Sequence, residues 1–202
     1  MYRLHILCLA FTAGFLIMTF ELLGGRILAP YFGSSVYVWG SIITVFMLAL
    51  SIGYLAGGKW STSLPSNFKY GSLFLISAVC LIPSIVFGEQ FMLMIFENFE
   101  DPRYGSLLGS LLLFFVPTTF MGMIAPYSVR LLVESKDNSG QTAGFLYFVS
   151  TIGSALGTIM TSFYFVLWFE INVILWGIVI LFALSGLTAI IRSIMFGEEG
   201  LI

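Results

Sequence analysis

Six stretches of about 20 mostly apolar residues follow one another along the chain, at roughly 4–25, 38–57, 71–90, 105–126, 144–168 and 172–192. Each is long enough to cross a bilayer as a helix, because a helix satisfies every backbone N–H and C=O internally where no water can do so. A membrane barrel would show segments of about ten residues with alternating polarity; these runs are about twice as long and do not alternate. Only 9% of the 202 residues are charged, 59% are hydrophobic, and the mean hydropathy is +1.04. A soluble domain carries roughly 25% charged residues to make its surface. The expected fold is therefore all-α: a single polytopic membrane helix bundle of six transmembrane helices over residues 1–202, with no water-soluble domain at either end.

The same composition narrows function. The net charge of −2 and the lack of a basic run give no nucleic-acid surface. Cys8 and Cys80 fall in apolar runs without a CxxC or metal-ligand spacing, and are expected to be small buried hydrophobes. His5, the one histidine, reads as an interfacial residue. There is no GxGxxG after a strand, no GxxxxGK[ST], no HExxH and no Ser-His-Asp set, so no metal or cofactor is expected. The first apolar run starts after Arg3 and is too long for a signal peptide, with no small-x-small cleavage site; it is expected to be retained.

Orientation follows from the basic residues. With six spans, Arg3, Lys59, Lys69, Arg130, Lys136 and Arg192 share one side, and only Arg26 and Arg103 lie on the other. Six against two places both termini in the cytoplasm. Glu97, Glu100 and Asp101 then fall outside. Trp39, Tyr104 and Trp168 sit near the outer span ends, and Trp60 and Tyr127 near the inner ones, as an aromatic belt requires.

Glycines four residues apart lie on one helix face and let two backbones approach. Three pairs have this spacing: Gly53 and Gly57, Gly105 and Gly109, Gly153 and Gly157. Packing within one bundle is their expected use. Ala29-Pro30-Tyr31 and Ala125-Pro126-Tyr127 close the first and fourth runs, which point in opposite directions. That echo suggests an inverted three-plus-three repeat, the plan of many transporters.

Among residues able to carry chemistry, Glu21 stands out, since a charge in hydrocarbon costs roughly 3 kcal/mol on the mildest scale. It either faces a polar group or cavity inside the bundle, or reaches interfacial water. Arg26 is five residues away, about 500° of helix, so the two point to different faces. The segment Ala29 to Trp39, including Tyr31 and Gly33-Ser34-Ser35, suits either a structured re-entrant loop or a plain interfacial connector. The fifth run carries Ser150, Thr151, Gly153, Ser154, Gly157, Thr158, Thr161 and Ser162, a face that packs tightly or lines a polar path. Lys59 and Arg130 mark cytoplasmic loop ends, with Ser139 and Gly140 at a loop tip.

The stretch Glu21-Leu-Leu-Gly-Gly-Arg26-Ile-Leu-Ala-Pro30-Tyr-Phe-Gly33-Ser-Ser35-Val-Tyr-Val-Trp39-Gly resembles the membrane domain of the fused major facilitator/spermidine synthase-like family, bacterial spermidine synthase-like proteins with an N-terminal transmembrane domain. Gly53-Tyr-Leu-Ala-Gly57-Gly58-Lys59, Ala125-Pro-Tyr-Ser-Val-Arg130-Leu131 and Gly144 through Tyr147, Ser150, Thr151, Gly153, Ser154 and Gly157 to Thr158 fit the same pattern, in order. Those relatives continue into a Rossmann-like domain that resembles aminopropyltransferases and methyltransferases, and this sequence ends at Ile202 before any such domain. The resemblance implies a non-catalytic module of the bacterial inner membrane that anchors or serves a separately encoded soluble enzyme of that type. The alternative is a half-unit resembling half of a major facilitator transporter, working as a homodimer on a small solute such as a polyamine, with Glu21, Arg26, Tyr31, Trp39, Ser150, Thr151 and Ser154 as candidate intramembrane binding residues. An intramembrane enzyme would need a catalytic set that the residues do not supply.

Overall fold

The computed structural model describes residues 2–99, 101–133 and 138–196. Glu100, Lys136 and the tail past residue 196, which entered the charge pattern and the anchoring expectation above, lie outside the described residues. Among the described residues seven helices make up the bundle: α1 (Tyr2–Phe32), α2 (Val36–Ser61), α3 (Asn67–Val86), α4 (Gly88–Asn98), α5 (Pro102–Leu132), α6 (Ser139–Trp168) and α7 (Ile171–Phe196). All but α4 are long and apolar enough to cross a membrane, and the chain is a multi-pass membrane protein.

Most of the spans run past the apolar stretches that revealed them. α1 continues through Arg26 and Pro30 to Phe32. Pro30 removes one N–H, so only the Arg26 carbonyl loses its donor, in a turn that is about to end. Gly33, at φ +76°, then closes the helix and donates its N–H to the Ala29 carbonyl at 2.9 Å. The expected loop from Ala29 to Trp39 is thus the end of α1, a three-residue turn at 33–35 and the first turn of α2. There is no re-entrant segment. Likewise Pro126 does not end α5, which runs to Leu132. The α3–α5 connection holds a helix that the hydropathy pattern missed: α4 is short and two-sided, with Met92 and Ile95 buried and Leu93, Met94 and Phe96 exposed. α5 starts behind it on Asp101, whose carboxylate accepts from the Arg103 N–H at 2.9 Å, with Pro102 in the first turn.

Pro117 sits in the middle of α5 and leaves the Leu113 carbonyl without its i+4 donor. Ser84 of α3 supplies the replacement, its hydroxyl donating to Leu113 O at 2.6 Å. The kink-prone proline and the serine on another helix thus form one unit.

Lipid tails are as apolar as leucine, so helices in a membrane associate by close packing rather than by hydrophobic expulsion. Glycines set that packing here. Gly53 and Gly57 of α2 lie against the backbone of Thr119, Gly122 and Met123 in α5. Gly153 and Gly157 of α6 lie against the backbone of Phe11 and Phe15 in α1, and Gly14 returns the contact against Ser150 and Ser154. Gly71 of α3 and Gly186 of α7 face each other directly. Gly105 and Gly109 do something different: they form a notch for the Phe32 ring and the Met92 side chain rather than for another backbone.

The three glycine contacts carry a symmetry. Exchanging α1, α2 and α3 with α5, α6 and α7 turns the α2–α5 interface into α6–α1 and leaves α3–α7 unchanged; these are the three most extensive interfaces in the bundle. The residues keep register: Phe11, Gly14 and Phe15 correspond to Thr119, Gly122 and Met123 at a constant offset of 108, and Gly53 and Gly57 to Gly153 and Gly157 at 100. Because α1 and α5 run in opposite directions, the repeat is inverted, related by a pseudo-twofold axis in the membrane plane. The Ala-Pro-Tyr echo lies at an offset of 96 (Ala29 to Ala125) and is not the register of this repeat.

The end of the bundle where α1 starts and α7 finishes is tied by polar contacts. Tyr127 is fully buried, not interfacial as its position near a span end suggested; its hydroxyl accepts from the Ser66 N–H at 3.1 Å. The Tyr70 hydroxyl lies 2.7 Å from Ser128 Oγ, which itself donates to Ile124 O, so the tyrosine is the donor. Towards the opposite end, Phe20, Phe46 and Phe114 pack at centroid distances of 5.2–5.6 Å and join α1, α2 and α5.

Candidate functional site

A cavity of about 170 Å³ lies where α1, α2, α5 and α6 meet. Its walls follow the pseudo-twofold register: Ala13 with Met121, Gly14 with Gly122, Ile17 with Ala125, Leu50 with Ser150 and Tyr54 with Ser154. The cavity therefore sits between the two repeats, displaced along α5 towards the end of the bundle where α1 starts. The glycines bring α1 close to α6 and α2 close to α5, and the cavity lies between these two pairs, with α2 and α6 less extensively packed than either. Tyr54 and Tyr147, 48% and 52% exposed, border it on the α2 and α6 walls.

The polar lining is made of hydroxyls. Ser154 donates to Ser150 O at 3.1 Å and Ser128 is used by Tyr70 and Ile124 O, whereas the hydroxyls of Ser150, Tyr54 and Tyr147 make no hydrogen bond to a described residue. Thr151, grouped with the serines from sequence, is exposed and does not line the cavity. Tyr54 and Tyr147 are the lining groups that the sequence did not flag; an aromatic hydroxyl on a helix face looks the same whether it meets lipid or a cavity.

Glu21 is half-buried and makes no hydrogen bond or ion pair with a described residue. It lies three and four residues beyond Met18 and Ile17, hence one turn further along the face of α1 that lines the cavity. It is not itself on the cavity wall. Arg26 lies on a different face, as the helical spacing requires, and lines a second, larger cavity of about 630 Å³ at the end of the bundle where α3, α4 and α7 converge. Tyr31 lines it too. Trp39 belongs to neither: its ring covers Gly25 and fastens α2 to α1. Lys59 and Arg130 are exposed near the ends of α2 and α5. Tyr104 and Trp168, 65% and 78% exposed, fit an aromatic belt.

Among the described residues no three His, Cys, Asp or Glu side chains come together as a metal site. Cys8 is exposed rather than buried, and Cys80 is half-buried; both are free. His5 Nε2 lies 3.4 Å from Thr188 Oγ1, a long contact between α1 and α7. No family model, curated protein or solved structure matches the chain, so function has to be argued from this geometry.

Proposed function

We propose that the chain is a transport-type membrane module that takes a small, hydrogen-bonding organic cation, with a polyamine as the candidate, into the cavity between its two repeats. The observation that carries this reading is the cavity's position between the two repeats, with walls from both. In inverted-repeat transporters the solute site lies at the repeat interface, where rocking of one repeat against the other changes access. Free hydroxyls of Ser150, Tyr54 and Tyr147 supply acceptors for ammonium N–H groups. Glu21, unpaired and one turn away, supplies the countercharge; a carboxylate at this depth is costly unless something neutralises it. The open side between α2 and α6, with α6 the least covered of the six spans, is where a second copy completes the enclosure.

The test is uptake of labelled putrescine and spermidine into proteoliposomes, wild type against Glu21→Gln. The expected result is uptake by the wild type and a loss of at least tenfold in the variant, the size of one charge-assisted contact of about 1.4 kcal/mol or more. Absence of uptake by folded, dimeric wild-type protein sinks the proposal. One observation favours the resemblance's other implication, an anchor for a soluble aminopropyltransferase-like enzyme. Lys59 and Arg130 are exposed at one end of the bundle, beside a 62–66 turn held compact by Lys69, whose ammonium donates to Ser63 O and Leu64 O at 2.6 and 3.2 Å. Co-purification from native membranes distinguishes that role.

A further inference from the structure

The α1–α7 side of the bundle carries a second feature, independent of the cavity between the repeats. A groove of about 210 Å³ runs between α1, α6 and α7, walled by Phe15, Leu16, Phe165, Val173 and Ile178 and almost wholly apolar. The π-helical turn Thr161–Phe165 of α6 presents Phe165 to it, edge-on to Phe15 with centroids 6.2 Å apart. The groove meets the 630 Å³ end cavity at Phe169, which borders both. The two are also aligned along α1: Phe15 and Thr19 line the groove, Arg26 and Pro30 the end cavity, and spacings of four, seven and four residues keep all four on one helix face. Thr19 and Arg26 are thus separated by about 10 Å along the helix axis.

The end cavity has a mixed lining that carries charges of both signs. Arg26, Glu89 and Glu170 line it together with Asn172 and Ser84, and none of the three charged groups is engaged in an ion pair with a described residue. An apolar slot leading from mid-span to a site with one guanidinium and two carboxylates at the membrane surface has the polarity of a single amphiphile. We propose that this slot binds an aminophospholipid of the phosphatidylethanolamine type, with its phosphate on Arg26, its ammonium between Glu89 and Glu170, and one acyl chain in the Phe15–Phe165 groove. Arg is the residue that meets a phosphate with paired donors. The two carboxylates disfavour an anionic headgroup and reward an ammonium that can donate; a choline headgroup has no N–H to give.

Gly177 provides a clean test. It lines the groove, and a Cβ placed there meets nothing within 4 Å, so the side chain of Gly177→Leu starts in open space and extends into the slot. The experiment is native mass spectrometry of the detergent-purified protein titrated with dioleoyl phosphatidylethanolamine, phosphatidylcholine or phosphatidylglycerol. Expected is a preference for phosphatidylethanolamine of roughly tenfold, the weight of one charge-assisted hydrogen bond. Binding of all three lipids weakens in Arg26→Gln and in Gly177→Leu, since phosphate and acyl chains are common to them, and the distinction between phosphatidylethanolamine and phosphatidylcholine disappears in Glu89→Gln/Glu170→Gln. Both glutamates are exposed and in no ion pair with a described residue, so their replacement by glutamine is expected to leave the fold intact. Equal binding of the three lipids, or variants that bind like wild type, overturns the proposal. So does soluble phosphoethanolamine that competes as well as the lipid, because the groove would then contribute nothing.

Discussion

Two adjacent glycines in α2 give the sharpest test of the packing. A Cβ on Gly57 falls 2.6 Å from the Met123 Cα of α5, whereas a Cβ on Gly58 meets nothing within 4 Å. Ordinary carbon contacts are about 3.5–4.0 Å, so Gly57→Ala pushes α2 from α5 by close to 1 Å; the obstacle is backbone and cannot rotate away. A gap of that size removes a quarter to a half of the dispersion well of each affected atom pair. Some 40 pairs at ~0.15 kcal/mol, losing about a third each, amount to roughly 2 kcal/mol. Against this, alanine is favoured over glycine inside a helix by about 0.5–1 kcal/mol. The net expectation is a loss of about 1–1.5 kcal/mol for Gly57→Ala and a gain of up to about 1 kcal/mol for Gly58→Ala.

The measurement is reversible unfolding in mixed micelles, followed by circular dichroism, on both variants in one host. Opposite signs separated by about 2 kcal/mol are expected. Changes of the same sign refute the close approach of α2 to α5. The inverted repeat extends the test, since Gly157 meets the Phe15 backbone as Gly57 meets that of Met123. Gly157→Ala should then match Gly57→Ala in sign and approximate size.

Ser84→Ala orphans the Leu113 carbonyl and should cost about 1 kcal/mol; in a Pro117→Ala background, where the α5 N–H returns, the same substitution should be close to neutral, and equal costs in the two backgrounds would show that Ser84 does not serve the proline. Tyr70→Phe leaves Ser128 Oγ without its buried donor and should destabilise by about 1 kcal/mol in the same unfolding assay, whereas no measurable change would place water on that hydroxyl. Ser63→Cys and Ser34→Cys, in a background lacking Cys8 and Cys80, should react with an impermeant maleimide from opposite sides, Ser63→Cys from the cytoplasm; the reverse pattern inverts the topology.

The spans were legible because a membrane leaves a backbone so few options, and six apolar runs admit little else. Their ends were not. Arg26, Lys59 and Arg130 read as terminators in a hydropathy profile, yet the backbone continues helical through all three, since ending a helix frees carbonyls that then need other donors. Glycine spacing found two of the three backbone contacts. It missed α3 against α7, where each helix contributes a single glycine to the meeting point, and it overreached at Gly105 and Gly109, which accept side chains. The angular argument on Glu21 and Arg26 survived intact because it depends only on residues per turn. Ser84 serving Pro117 was beyond reach, as nothing local says which helix will face an orphaned carbonyl.

Backbone symmetry extends further than side-chain chemistry in this chain, and the difference bears on mechanism. The glycine contacts repeat in register across the two halves, and in a transporter of the kind proposed above such a repeat is what lets one half tilt against the other in two equivalent ways. The polar groups repeat only in part: Ser154 answers Tyr54, both hydroxyls, but Ser150 answers Leu50 and Glu21, at the offset of 108, answers Val129. A fully symmetric cavity would present the same face in both tilts. On the proposed function, an asymmetric one would hold the solute against hydroxyls on one wall while the single carboxylate of α1 approaches from one side only. Replacing Val129 with glutamate, Val129→Glu, would give the second half its own carboxylate. If Glu21 acts as the countercharge through this repeat geometry, Val129→Glu should restore part of the uptake lost in Glu21→Gln. Restoration by Val129→Glu in that background, but not by a carboxylate placed at lipid-facing Val116, tests the repeat and the charge in one experiment; rescue from both positions, or from neither in folded protein, would break the link between them.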